Sequence, residues 1–157
     1  MNTPNHAALL RRLLHQVAAS GVLAFQIPHH GEQALQQSIL AVADNPQWCK
    51  RMQGAKQAIT MEMPDFYYDV LADECASLDI WETEQQQVMD SPQAIVEWIG
   101  CTGLRPFMDA LSNESEKKQF VDLLNARVAS VYLRQRNGKV LFPFRRLFVV
   151  AYRKDSP

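Results

Sequence analysis

The sequence predicts an α/β fold, and three observations carry that expectation. Residues 7–17 show a helical apolar period and are followed at once by an apolar run, Val22-Leu23-Ala24-Phe25-Gln26-Ile27. A second such run, Leu147-Phe148-Val149-Val150-Ala151-Tyr152, stands near the other end, and amphipathic stretches with helix start and stop signals fill the space between. At 157 residues with 47% hydrophobic and 21% charged, the chain lies in the range of about 100–200 residues for one domain and can bury a core.

Bulk properties exclude several classes. A formal net charge of −1 gives no general field for nucleic acid or an anionic membrane, so any anion selectivity must be local. The cysteines, Cys49, Cys75 and Cys101, lie far apart with no CxxC pair, which suggests neither a disulfide framework nor a zinc site and fits a reducing cytoplasm. No apolar run approaches the roughly 20 residues needed to span a bilayer, and the N-terminus lacks a signal-peptide pattern. A soluble, cytoplasmic protein is expected.

In chain order, Thr3 and Pro4 open a helix as N-cap and first-turn proline. Ala7, Leu10, Leu13, Leu14 and Val17 form its inner face, and Ser20-Gly21 stops it. The strand at 22–27, closed by Pro28, is apolar at both alternating sets of positions and so reads as an inner strand covered on both faces. An inner strand needs two hydrogen-bonded neighbours, yet no strand precedes it in this chain. A short helix runs from Glu32 to Asp44, with Leu35, Ile39 and Val42 inside. Residues 45–64 read as a loop whose Trp48, Met52, Met61 and Met63 fold over apolar surface. Asp65 caps a helix that buries Phe66, Tyr67, Val70 and Leu71, and an extended segment follows from Leu78 to Met89, weakened by Gln85-Gln86-Gln87.

Ser91-Pro92 starts the next helix, with Ile95, Trp98 and Ile99 as its stripe and Gly103 at its end. Thr102-Gly103-Leu104-Arg105-Pro106 then turns the chain between two halves of a helical cap. Asn113 with Glu116 resembles a capping box for a helix along Phe120, Leu124, Val128 and Val131. Arg136-Asn137-Gly138-Lys139 is a tight turn, because Asn-Gly tolerates positive φ. Val140-Leu141-Phe142, broken by Pro143, belongs at an edge or bend, and residues 147–152 form a buried terminal strand.

Several dispersed motifs then agree in order and spacing with one family. Phe66-Tyr67-Tyr68, Asp79-Ile80-Trp81, Ser91-Pro92-Gln93-Ala94-Ile95, Thr102-Gly103-Leu104-Arg105-Pro106 and Arg146-Leu147-Phe148-Val149-Val150-Ala151 resemble the C-terminal part of trans-aconitate 2-methyltransferases. Gly21-Val22-Leu23-Ala24 is similar to the region at that family's fifth strand. The resemblance implies the C-terminal part of a class I methyltransferase, a Rossmann-like sheet whose fifth to seventh strands are here, with a helical substrate cap. It implies one truncated domain over 1–157: helix and strand at 1–90, cap at 91–135 and a returning strand at 136–157. The glycine-rich turn that cradles S-adenosylmethionine in the family, and the acidic residue for its ribose, have no counterpart in this sequence. The cofactor-binding N-terminal half is thus missing, no cofactor is expected on this chain alone, and no catalytic residue or metal ligand is assigned.

The implied reaction moves a methyl group from S-adenosylmethionine to a carboxylate of trans-aconitate. A carboxylate is already ionised near pH 7 and needs no general base. A polycarboxylate demands cations, preferably the planar fork of arginine. Arg105 and Arg146, both in the matched motifs, are the candidate ligands; each also fits the plainer role of a surface or capping arginine. Trp98 and Trp81 could wall the pocket, although their periods favour ordinary core positions, and Tyr67 of the Tyr67-Tyr68 pair could offer a phenol. His29-His30, lacking a third ligand, reads as loop.

Three departures bear on substrate identity. Ile27-Pro28-His29 stands where many members carry Met-Pro-Asp, Gln85-Gln86 where aromatic residues often occur, and Arg145 where proline usually precedes Arg146. The leading expectation is a methyltransferase part that is inactive alone. The other is a non-enzymatic binding module derived from the same fold. The unpaired strand edge predicts association with another copy or with a complementary cofactor-binding chain.

Overall fold

The computed structural model describes residues 5–29 and 33–155, so the predicted start at Thr3-Pro4 and the residues His30 and Glu32 lie outside the described residues. The element order is α1 (His6–Gln16), β1 (Val22–Pro28), α2 (Ala34–Ala43), α3 (Gln53–Ala58), α4 (Pro64–Leu71), β2 (Cys75–Met89), α5 (Pro92–Gly100), α6 (Arg105–Asp109), α7 (Glu114–Val131) and β3 (Val140–Arg153). The class is mixed α and β, as expected. The strands form one sheet in the order β1-β3-β2. β1 runs antiparallel to β3, from Val22 opposite Tyr152 to Pro28 opposite Arg146. β2 is also antiparallel to β3: Trp81 meets Phe148, Glu84 meets Arg145 and Asp90 meets Lys139, so one strand descends as the other rises.

The described residues gather into two units, one made of 5–29, 61–84 and 145–155 and the other of 33–60 and 85–144. In the first unit, α1 and α4 pack together, and Leu10, Leu14, Tyr67, Val70 and Leu71 meet Leu147, Val149 and Ala151 of β3 in its core. Asn5 caps α1 from the left-handed region at φ 63°, its side chain accepting from the Ala8 N–H. The stop after α1 divides its work between two residues. Ser20 takes φ 58°, and Gly21 lies so close to Val17 that a Cβ would come within 2.5 Å of Val17 Cγ1. At α4 the cap falls two residues earlier than expected: Met63 is N-cap, Pro64 opens the helix, and Asp65 sits in the first turn.

The reading of 22–27 as an inner strand covered on both faces is not what this chain builds. Exposure alternates along β1: Leu23, Phe25 and Ile27 pack on the core, whereas Val22, Ala24, Gln26 and Pro28 are exposed. The cause is that, among the described residues, β1 pairs with β3 alone, and that α1 and α4 supply the core against its Leu23, Phe25, Ile27 row. An apolar run records what a strand tolerates, not how many layers the chain brings to it.

The second unit is built on α7, which packs on α2 and α5, while α3 packs on α6. The capping box at α7 forms in altered style. Asn113 accepts from the Glu116 N–H at 2.9 Å, but Glu116 accepts from the Ser112 N–H and from both terminal nitrogens of Arg51 rather than turning back to Asn113. The stretch expected as a loop at 45–64 holds turns and α3, with Trp48 and Met52 in the core as expected and Met63 exposed. Bidentate pairing with Arg51 and the Ser112 N–H hold the Glu116 carboxyl below its ordinary value. A lowered carboxyl adds stability above its unfolded pKa of about 4.5, lost as pH falls through the depressed folded value. The unfolding midpoint of the native chain is therefore expected to fall more steeply on acidification from pH 5 to pH 3 than that of Glu116→Gln, measured by urea titration across that range.

The extended segment expected from Leu78 to Met89 forms as β2, and the Gln85-Gln86-Gln87 run does not break it. Pro143 does not break β3 either, and the separate apolar runs at 140–142 and 147–152 belong to a single strand. The reason lies in the register. The His29 N–H donates to the Arg145 carbonyl, and the β1 partners cover β3 only from 145 onward, so the missing N–H of Pro143 removes no bond from that ladder. Along β3 the buried phase shifts by one residue: Val140, Phe142 and Phe144 are buried, then Leu147, Val149 and Ala151. The Asn137-Gly138 turn forms as expected, with Gly138 at φ 80°.

Candidate functional site

The residues singled out in the sequence divide between the two units. Arg105 and Trp98 belong to the helical unit; Arg146, Trp81 and Tyr67 belong to the other. In the helical unit, Ser91 caps α5 by accepting from the Ala94 N–H at 3.1 Å, and Ile95, Val96 and Ile99 fix the helix on the core. This leaves Trp98 on the outer flank, 49% exposed, with its ring edge-on to Phe142 and Phe144. Buried Leu104 and Phe107 anchor the following turn, so α6 begins with Arg105 pointing outward. The Arg105 side chain is 79% exposed, and its Nε lies 3.8 Å from Asp109 Oδ2. A pair so open is weak and readily exchanged for another carboxylate.

In the first unit, Arg146 Nη1 donates to Gln26 Oε1 at 2.7 Å, diagonally across the β1–β3 ladder in which Arg146 stands opposite Pro28 and Gln26 opposite Phe148. Two residues along β3, Phe148 stacks on Trp81 with ring centroids 5.2 Å apart and planes 7° from parallel. Alternation puts Arg146 and Phe148 on one side of the strand, so a guanidinium, a carboxamide and a flat aromatic pair share one sheet face. Guanidinium and amide N–H groups suit a carboxylate; the rings suit a planar, conjugated acid. The other row at this end of the sheet carries charge pairs: His29 with Glu82, and Arg145 with Glu84 at 3.3 Å. The side chain of His29 is only 8% exposed. Sequence reasoning missed Gln26, Glu82 and Glu84. The signal for Gln26 was its place as the one polar residue in an apolar run, and for the glutamates their alternation along β2.

Tyr67 sits in the core, 1% exposed, its ring against Phe25, Phe66 and His6, whereas neighbouring Tyr68 is 58% exposed. Burial, with a smaller contribution from the Glu62 charge, pushes the Tyr67 phenol up to about 12. A raised phenol pKa adds stability that is complete below the unfolded value near 10 and lost as pH rises toward 12. Absorbance titration at 295 nm is expected to show a tyrosine that ionises only near pH 12, and Tyr67→Phe should delete that step alone. Among the described residues no group of His, Cys, Asp and Glu is placed to hold a metal ion, and no helix is long and apolar enough to cross a membrane.

No family model matches the chain. Curated relatives do. Trans-aconitate 2-methyltransferase of Azoarcus sp. (strain BH72) is 38% identical over 150 residues, which take in 96% of this chain and 58% of the relative. The enzyme of that name from Rhodopseudomonas palustris (strain BisA53) is 40% identical over 149 residues, 94% of this chain and 58% of its own length. That of Afipia carboxidovorans is 38% identical over 151 residues, 96% of this chain and 59% of the relative. Identity at this level along nearly the whole chain makes it a homologue of methyltransferases. The family is that of the trans-aconitate 2-methyltransferases, and the chain corresponds to a part of it, spanning under two thirds of the length of the curated relatives it matches.

Methyltransferases in general use S-adenosylmethionine, and the described residues do not fit that group. Gly54 and Gly100 lie within helices, Gly21 and Gly103 do not take positive φ, and Gly138 is at a hairpin tip. None of them stands in a strand-to-helix turn with room for a phosphate or adenosyl group to approach the backbone.

Proposed function

We propose that this chain is the C-terminal, substrate-facing part of a carboxyl methyltransferase acting with S-adenosylmethionine on a small polycarboxylic acid such as trans-aconitate. The observation that carries the reading is the 38–40% identity to trans-aconitate 2-methyltransferases over 94–96% of the chain. In it, β1, β2 and β3 correspond to the fifth, sixth and seventh strands of a Rossmann-like sheet, and residues 91–135 form a cap over the acid. Within the first unit Arg146 binds a carboxylate of the substrate beside the apolar wall of Trp81, and Tyr67 acts from the core by supporting Phe25 of β1; within the helical unit Arg105 and Trp98 are the corresponding candidates. The acceptor carboxylate is ionised at neutral pH, so these residues have to bind, orient and exclude water rather than move a proton. The lack of a glycine cradle supports the further reading that the chain is inactive alone. It works with cofactor-binding sequence on the same or a separate chain.

The test is an ester-forming assay with labelled S-adenosylmethionine and trans-aconitate, run on the chain alone and on the chain fused behind the segment of the Azoarcus relative that it does not match. No ester from the chain alone and ester from the fusion is the expected result. Turnover by the chain alone overturns the claim of inactivity. A folded fusion that binds both compounds yet forms no ester overturns the enzymatic reading and favours a binding module.

A further inference from the structure

The helical unit keeps two buried polar groups whose hydrogen bonds are incomplete, and both stand at the first turn of α2. Gln33 is the N-cap residue of that helix and 8% exposed, yet its side chain makes no capping bond. Its Oε1 is buried and has no donor among the described residues. The second group is the hydroxyl of Tyr132, which stands at the C-terminal end of α7. Its oxygen accepts from the Leu35 N–H at 3.0 Å, two residues along from Gln33, and its own O–H has no acceptor among the described residues. A buried acceptor without a donor costs stability, so such groups are few in native proteins and call for a partner. Here the two groups need opposite partners, Gln33 a donor and Tyr132 an acceptor.

The surroundings narrow the choice. The first bond inside α2 runs from the Gln37 N–H to the Gln33 carbonyl at 3.1 Å, so the N–H groups before it have no partner within the helix and present the positive end of its dipole. An ammonium donor is disfavoured there, and an ionised carboxylate cannot donate at all. What suits Gln33 is a neutral hydroxyl. For Tyr132 the matching group is a carboxylate. Burial raises the phenol pKa, with the Leu35 N–H opposing it to a smaller extent, so the hydroxyl keeps its proton at neutral pH. A row of rings leads from this pair to the surface: Tyr132 meets Phe142 edge-on at 5.8 Å, and Phe142 meets half-exposed Trp98 at 5.7 Å.

We propose that the first turn of α2 and Tyr132 form a binding site for a hydroxylated polycarboxylic acid, with Tyr132 donating to a carboxylate and Gln33 Oε1 accepting from the hydroxyl. The inference rests on the proposed function in taking the acceptor acid as the ligand, and it adds that this acid carries a hydroxyl beside its carboxylates. Gln33 then acts in specificity: an acid without the hydroxyl leaves its buried oxygen as bare as in the free chain.

Citrate and tricarballylate carry the same three carboxylates and differ by one hydroxyl, so calorimetric titration of the full chain with each isolates the contact to Gln33. Citrate is expected to bind at least about tenfold more tightly. Gln33→Met keeps the length of the side chain and removes the acceptor. It should bring citrate to the affinity of tricarballylate and leave tricarballylate unchanged, without lowering the urea midpoint, since the free chain loses no bond to that oxygen. Tyr132→Phe should weaken both acids by a similar factor. Equal binding of the two acids overturns the proposal, as does a preference for citrate that survives Gln33→Met. Binding of neither acid overturns it too, because water alone then completes the pair. A preference for citrate in a chain whose fusion forms no ester sustains the site while the proposed activity falls, and ester formation without that preference does the reverse.

Discussion

Replacing Trp48 with alanine is expected to cost the helical unit about 3–5 kcal/mol, a loss comparable to much of the total stability of an ordinary domain. Trp48 is 1% exposed, its Nε1 donates to the Val42 carbonyl at 2.9 Å, and its ring lies 5.8 Å from that of Phe120. Phe120 in turn stacks on Phe107, so the indole supports the α7–α6 contact as well as the end of α2. Alanine leaves a cavity that three packed helices cannot fill, and it removes one donor from the Val42 carbonyl, which keeps the Asn45 N–H at 3.1 Å. Trp48→Phe keeps most of the volume and loses the donor, for an expected cost of about 1–2 kcal/mol. Urea unfolding followed by far-UV circular dichroism measures both. An alanine variant within 1 kcal/mol of the native midpoint would show that this unit does not depend on the indole.

The core was legible in the sequence wherever one helix buried one stripe. Leu10 and Leu14, Ile95 and Ile99, and Phe120, Leu124 and Val128 lie where their period put them, whereas Leu13 and Val131, read into the same stripes, are exposed. Local chemistry was legible too: Ser91, Asn113 and Gly138 act as their residue types suggest. What local patterns could not reveal is how partners are shared. The Val22–Ile27 run is apolar on both sides, but whether both sides are covered depends on which elements pack there, and only its Leu23, Phe25 and Ile27 row meets the core. Pro143 looked like a break because a proline forfeits a ladder bond, and the register that makes the bond unnecessary is a long-range property. The same limit applies to the candidate site. Arg146 was visible as a cation in a matched motif, whereas its partner Gln26 is 120 residues away and could be joined to it only through the β1–β3 pairing. Trp98 and Trp81, whose periods suggested core positions, are both about half exposed, Trp98 at the flank of α5 and Trp81 on the row of β2 opposite core-packed Leu78 and Ile80.

That exposed geometry leads to the second large effect, at Arg146. Its Nη1 is held by Gln26 at 2.7 Å, which fixes the plane of the guanidinium over the face that carries Phe148 and Trp81. A planar fork fixed in this way is preorganised for a carboxylate, whereas a lysine at the same position is a flexible point charge that cannot satisfy Gln26 and a ligand in one plane. In the fusion enzyme, Arg146→Gln is expected to raise the KM for trans-aconitate about 10- to 100-fold, the equivalent of losing one charge-assisted contact of about 1.5–3 kcal/mol. Arg146→Lys should recover part of that loss, and Gln26→Leu, which frees the guanidinium from its plane, should cost less than either. Arg105→Gln is expected to act in the same direction with a smaller loss, since its exposed pair with Asp109 leaves it poorly oriented before the acid binds. Steady-state kinetics with both substrates varied separates these cases. A loss confined to KM for the acid assigns Arg146 to substrate binding. A loss confined to kcat with KM unchanged, or an unchanged Arg146→Gln enzyme, would remove it from the carboxylate site and return it to the role of a strand-pairing arginine.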